Sequence, residues 1–125
     1  MARMALVVDD SEVVRKVARR LLDELGFDVA EAGDTAAALP ACRASPPDLI
    51  LLDWLLPDGA GPDLLRRVRA EPTAQRARII VMMTEADLGQ ITLALRSGAS
   101  DVMLKPFDRA SFRAQFDATG PNQAP

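Results

Sequence analysis

The sequence predicts an α/β fold, a doubly wound sandwich built on a five-stranded parallel sheet, and three observations carry that reading. The run Leu49-Ile50-Leu51-Leu52 has no polar alternation, as a central strand buried on both faces requires. Short apolar runs alternate with stretches of helical periodicity along the chain, without internal repeats. Polar residues able to do chemistry gather at the carboxyl ends of those runs, where open α/β sheets keep their sites.

Taken in order, Ala5-Leu6-Val7-Val8 is a first strand ending on Asp9 and Asp10. Ser11 and Glu12 open a helix with Val14, Ala18, Leu21, Leu22 and Leu25 on its apolar face, and Gly26 stops it. Arg15, Lys16, Arg19 and Arg20 occupy the other face. The second strand, about Phe27 to Ala30, is polar enough to be an edge. Asp34 or Thr35 can cap the next helix, which runs through Cys42 to Arg43 and should bend at Pro40, a residue without an N–H to donate.

The central strand ends on Asp53, followed by a loop closed by Pro57 and Gly59. In that loop Trp54 reads equally well as a sticky exposed aromatic or as packing. Leu64 to Ala70 forms a short helix ending near Glu71-Pro72. A fourth strand, Ile79 to Met83, ends on Thr84, and the helix carrying Ile91, Leu93, Ala94 and Leu95 follows. The fifth strand, Asp101 to Leu104, leads into Lys105-Pro106-Phe107, and Asp108 caps a last helix with Phe112 and Phe116 four apart. Residues 1–118 are therefore expected to form the domain, with 119–125 as a frayed tail or the start of a linker.

Composition narrows the chemistry. The chain has 125 residues, enough for one core, and 49% are apolar with few aromatics. A net charge of −3 argues against a general nucleic-acid binder and leaves room only for a local patch. One cysteine and no histidine rule out an internal disulfide, a thiolate or imidazole metal cluster, and histidine acid–base catalysis. No apolar run reaches membrane-spanning length, and a strand begins at once, so a cytoplasmic protein without a signal peptide is expected.

In a parallel sheet, Asp9, Asp10, Asp53, Thr84 and Lys105 all fall on the carboxyl edge. Three carboxylates in one crevice repel and need a cation or shared protons; an all-oxygen donor set suits Mg²⁺. Lys105 adds a positive point charge and Thr84 a hydroxyl donor. Together they can hold the oxygens of a phosphoryl group whose acceptor is the ionised carboxylate of Asp53. Singly, each residue is as well explained as a turn residue, helix cap or solvated charge; their joint placement on four strand ends is what singles them out. No GxxxxGK[ST] or GxGxxG stretch competes as a nucleotide site.

With Val8-Asp9-Asp10-Ser11, Asp53 followed by Pro57 and Gly59, Thr84, and Lys105-Pro106-Phe107 at these spacings, the chain resembles the receiver domain of bacterial two-component response regulators over essentially its whole length. The resemblance implies a flavodoxin-like fold with strand order 2-1-3-4-5. It implies that Asp53 takes a phosphoryl group from a histidine kinase or histidine phosphotransfer protein. It further implies that Asp10, Asp53 and the Leu55 carbonyl ligate Mg²⁺ with Asp9 acting through water, and that Thr84 and Lys105 grip the phosphoryl oxygens. Within the family the chain looks most like stand-alone chemotaxis regulators of alphaproteobacteria, which carry phosphate from a kinase to partners such as the flagellar motor switch or act as sinks for it, as monomers or weak phosphorylation-dependent dimers.

The resemblance makes the chain a signalling phosphoacceptor with slow self-dephosphorylation. Leu55 and Ala86 stand where fast-cycling receivers look like an amide and a carboxylate. Val102 replaces a usual aromatic, Glu85 a usual small residue, and Pro40 interrupts the second helix. The output surface is expected to include Ile91, Arg96, Val102 and Phe112 or its neighbours. Two rival readings are a receiver belonging to a hybrid kinase or transcription factor, and a Mg-dependent phosphohydrolase with an aspartate nucleophile.

Overall fold

A computed structural model describes residues 3–56 and 59–119. The elements are β1 (Arg3–Val8), α1 (Glu12–Glu24), β2 (Phe27–Ala32), α2 (Thr35–Ala44), β3 (Leu49–Asp53), the short β4 (Leu55–Leu56) and β5 (Gly59–Ala60), α3 (Gly61–Ala70), β6 (Arg78–Met83), α4 (Leu88–Arg96), β7 (Asp101–Leu104) and α5 (Arg109–Thr119). A 3₁₀ turn, Pro72–Ala74, lies between α3 and β6. The five long strands form one sheet in the order β2-β1-β3-β6-β7, and every pairing in it is parallel. The fourth and fifth strands expected from the sequence are β6 and β7.

β3 is central because all five of its residues are buried, and a strand of that kind needs neighbours on both edges and layers on both faces. Leu6, Val8, Ile50, Leu52, Ile79 and Val81 face one side of the sheet and join one core cluster with α3 and the buried Ala94 of α4. Ala5, Val7, Leu49, Leu51, Ile80 and Met82 face the other side and join a second cluster with Leu21 and Leu22 of α1 and Phe112 of α5. The two-residue period of a strand thus sorts the sheet into two aliphatic layers.

Local signals placed most boundaries. Ser11 Oγ accepts from the Val14 N–H (3.2 Å) and Asp34 Oδ1 from the Ala37 N–H (2.8 Å), so Asp34, of the two candidates, caps α2. Gly26, which follows the end of α1, has φ +91°, a conformation that suits glycine. β2 runs two residues past the expected Ala30, because each residue to Ala32 finds a partner on β1. α3 starts at Gly61, earlier than Leu64, and α2 continues as helix through Pro40 to Ala44. The sequence also gives no sign of β4 and β5, an antiparallel pair that closes the loop after Asp53. Pro57 and Asp58 in that loop, and residues 120–125 of the expected tail, lie outside the described residues.

Phe112 corrects one expectation. Its side chain is wholly buried, packed between the tilted rings of Phe107 and Phe116 at centroid distances of 5.2 and 5.1 Å, and it is core, not partner-facing surface. No described helix is long and apolar enough to cross a membrane.

Candidate functional site

The parallel pairing puts the ends of β1, β3, β6 and β7 side by side, so Asp9, Asp53, Thr84 and Lys105 meet at one edge of the sheet. Asp9, Asp10 and Asp53 each bring a carboxylate oxygen within 4.8 Å of the others. Asp9 is fully buried and Asp53 nearly so, whereas Asp10 is exposed at the mouth. Lys105 reaches back from the end of β7, its Nζ donating to Asp9 Oδ2 (2.9 Å) and Asp53 Oδ1 (3.2 Å). Asp53 Oδ1 also accepts from the Leu55 N–H at 3.3 Å. Beside them opens a cavity of about 450 Å³, lined by Asp10, Asp53, Trp54, Thr84, Gln90 and Lys105 among others.

One ammonium shared by two buried carboxylates cannot fully neutralise both. Burial and the charge of Asp9 raise the Asp53 carboxyl above its ordinary value, against the opposing pull of Lys105 and the Leu55 N–H. Burial works against the charge on Lys105, but its hydrogen bonds and charge interactions with Asp9 and Asp53 outweigh it, and its ammonium is held above the usual lysine value. The site therefore carries an excess of negative charge that a hard cation would relieve, and its donors are oxygens. On that chemistry the residues fit a divalent ion such as Mg²⁺.

Around the acids, packing fixes positions that the sequence alone does not reveal. Asp9 Oδ1 accepts from the Ser11 N–H (2.9 Å), which turns the β1–α1 loop. Arg15 of α1, which reads as a solvated helix charge, instead donates from Nη1 to the Asp9 carbonyl (2.8 Å) and from Nε to Glu31 of β2 (3.0 Å). Thr84 sits exposed on the rim, next to the equally exposed Glu85 and Ala86. Trp54 is packing: its ring is 5% exposed, and Gly61 lies so close that a Cβ there would fall 2.5 Å from the ring. Leu55, the next residue, is 69% exposed. Val102 is half-buried in β7 and adds no polar group to the edge.

Residues 5–117 match the family model described as the response regulator receiver domain. The chain is 37% identical over 128 residues to the transcriptional regulatory protein CseB of Streptomyces avermitilis, aligning 96% of this chain with 53% of that protein. It is 33% identical over 113 residues to chemotaxis protein CheY-3 of Vibrio cholerae, across 90% of this chain and 87% of that one. The chain thus spans about half the length of the first relative and most of the second. Relatives divide between chemotaxis proteins and transcriptional regulators, with no bias toward alphaproteobacterial chemotaxis proteins. The crystal structure of Vibrio cholerae chemotaxis protein CheY4 superposes with a TM-score of 0.88 at 24% identity, covering 94% of this chain and 98% of that one, which bears on the fold alone.

Proposed function

The chain belongs to the response regulator receiver domain family, and from that premise we propose that Asp53 is its phosphoacceptor, charged by a histidine kinase or histidine phosphotransfer protein. Family membership makes it a phosphoacceptor and not a classical enzyme. The observation that carries the residue assignment is the pair of Lys105 bonds to Asp9 and Asp53 at the crevice floor, which places a cation where phosphoryl oxygens would arrive. An Asp53 carboxylate oxygen attacks phosphorus, the bond from phosphorus to the donor nitrogen breaks, and the leaving imidazole takes a proton from solvent. Lys105 then exchanges a carboxylate partner for a phosphoryl oxygen, and Thr84 turns inward to donate its hydroxyl.

Asp10, Asp53 and the Leu55 carbonyl would hold Mg²⁺ directly and Asp9 through water, and the ion would supply the positive charge that offsets the incoming phosphoryl oxygens. Residues 1–118 act as the receiver and 119–125 as a tail or linker, with Thr119 still the last residue of α5. Its place is the cytoplasm. Output is by protein contact through the face of α4, β7 and α5, with Ile91, Arg96 and Val102 on it, by a monomer or weak phosphorylation-dependent dimer without direct contact to nucleic acid.

The finer reading is a stand-alone chemotaxis regulator of the alphaproteobacterial type, signalling to a target such as the flagellar motor switch. Its stand-alone chemotaxis part draws support from the likeness to CheY-3 along 87% of that protein, while the alphaproteobacterial type rests on the sequence alone. The likeness to 53% of CseB supports a second reading, the receiver portion of a longer transcriptional regulator. Phosphotransfer profiling against the kinases of the host separates the two by the identity of the donor. The residue assignment is tested with a small phosphodonor and Mg²⁺: intact mass should show one phosphoryl adduct, absent in Asp53→Ala. An adduct that persists in the variant would remove Asp53 from the role.

A further inference from the structure

Trp54 follows the phosphoacceptor directly, and two contacts hold its place. Its backbone N–H donates to the Met82 carbonyl on β6 (3.0 Å), and its ring is wedged against Gly61 at the start of α3. The indole is a donor only, and Nε1 donates across the crevice to Gln90 Oε1 at 2.7 Å. Gln90 lies in the first turn of α4. Its own backbone N–H is bonded to Asp87 Oδ1 (3.0 Å), the cap at the end of the loop that begins with Thr84.

Gln90 is therefore tied at once to a fixed point, the indole, and to a loop that must shift when Thr84 turns toward a phosphoryl group. The far end of α4 is anchored separately. Arg69 of α3 donates from Nε to the Gly98 carbonyl (2.8 Å), and Gly98, at φ +119°, lies against the Arg69 stem, where a Cβ would fall 2.7 Å from Cγ. Between these ends the helix has one buried residue, Ala94, with Ile91 and Leu93 only partly covered. A short helix so lightly packed and pinned at its C-terminal end responds to a pull on its first turn by tilting.

We propose that Trp54 and Gln90 form a latch that holds the first turn of α4 in its resting position and is released when the crevice closes on a phosphoryl group. Val102, without a polar atom or a ring, offers no such link between the site and α4, whereas the indole does so from the residue adjoining Asp53. Trp54 and Gln90 are positioning residues: neither meets the reacting atoms. The proposal rests on the phosphoacceptor reading above and adds the route by which that reading reaches α4.

Removing the bond destabilises the resting arrangement by about the net worth of one hydrogen bond, which raises the population of the released form roughly fivefold. Trp54→Phe keeps an aromatic ring and deletes the donor, leaving a small void in the core cluster Trp54 belongs to. Gln90→Leu deletes the acceptor at an exposed position and leaves the core untouched, so it is the cleaner of the two variants. In unphosphorylated protein, amide hydrogen exchange in the first turn of α4 should quicken about fivefold in each variant, with the sheet unchanged. The rate of phosphorylation by acetyl phosphate should rise by a similar factor. The double variant should match either single variant, because both remove one shared bond.

Unchanged exchange in Gln90→Leu, or single effects that multiply in the double variant, would overturn the latch. Failure of the wild type to form an adduct at Asp53 would overturn the phosphoacceptor reading instead, and the exchange measurement would still decide whether the latch exists.

Discussion

A phosphoryl group on Asp53 is lost when water attacks phosphorus in line and the bond to the carboxylate oxygen breaks, giving inorganic phosphate. The water must be held, and the residues placed to hold it are poorly equipped. Leu55 has no polar side-chain atom and is 69% exposed, and Ala86, exposed on the rim, is too short to reach inward. Glu85 also lines the crevice, but it neighbours Ala86 and projects from a different point of the backbone. Self-dephosphorylation is expected to be slow, and Leu55→Asn with Ala86→Glu should speed it about tenfold, the effect of about 1.4 kcal/mol from the two added polar groups that hold the water. The decay of phosphorylated protein at fixed Mg²⁺ after donor removal is the measurement, and equal rates would show that these residues do not control the water. At this scale the sequence was readable where a residue's place follows from its strand. Asp9, Asp53 and Lys105 needed only the parallel sheet to be brought together, whereas Trp54 was ambiguous because its partner, Gln90, is 36 positions away and on another element.

Elements that look independent in the sequence are coupled by side chains crossing between them. Glu31 on β2 is 16% exposed at its side chain and takes hydrogen bonds from two arginines of α1, Arg15 Nε at 3.0 Å and Arg19 Nε at 2.7 Å. Arg15 in turn holds the Asp9 carbonyl, so one cluster joins helix, edge strand and acidic loop. Helical periodicity assigns Arg15 to the polar face and no further, since the periodicity reports which face is wet and not which charge finds a partner. Burial raises the Glu31 carboxyl, but the hydrogen bonds from Arg19 and Arg15 outweigh it and hold the group below the usual glutamate value. A depressed acid stabilises the fold above its unfolded value and loses that contribution as pH falls through the folded one. Glu31→Gln should therefore cost about 1 kcal/mol at neutral pH, with Arg19 half in solvent limiting the figure. The gap to wild type should shrink as pH falls below about 4. Urea midpoints across that range decide it, because a gap independent of pH would mean lost packing and not lost charge. Pro40 is the other lesson at this scale: a missing N–H removes one helical bond, yet Ala38 and Cys42, both fully buried, keep α2 on the sheet to either side.

For the whole molecule, the two aliphatic layers support a site that the fold itself disfavours. Apart from Asp9, Asp53 and Ser97, the buried residues are apolar, glycine or proline among those described, and both acids lie at the one edge where Lys105 must serve them together. Asp53 is held above its ordinary value by burial and by Asp9, so its ionised form is a cost to folding in the absence of a cation. Asp53→Asn removes that charge at nearly constant volume, leaves Lys105 its shorter bond to Asp9, and keeps an oxygen able to accept from the ammonium. The variant should be more stable than wild type by about 1 kcal/mol when divalent ions are removed, as expected where a site is kept for its chemistry at the expense of stability. Adding Mg²⁺ should stabilise wild type much more than the variant, since the variant lacks one of the proposed ligands. At about ten times its dissociation constant the ion contributes about 1.4 kcal/mol, enough to close the gap. Denaturant midpoints for both proteins, with chelator and then along a Mg²⁺ titration, follow the crossing. A variant less stable than wild type in chelator would mean that the Lys105–Asp53 pair outweighs the burial of its carboxylate, and equal responses to Mg²⁺ would remove Asp53 from the ligand set.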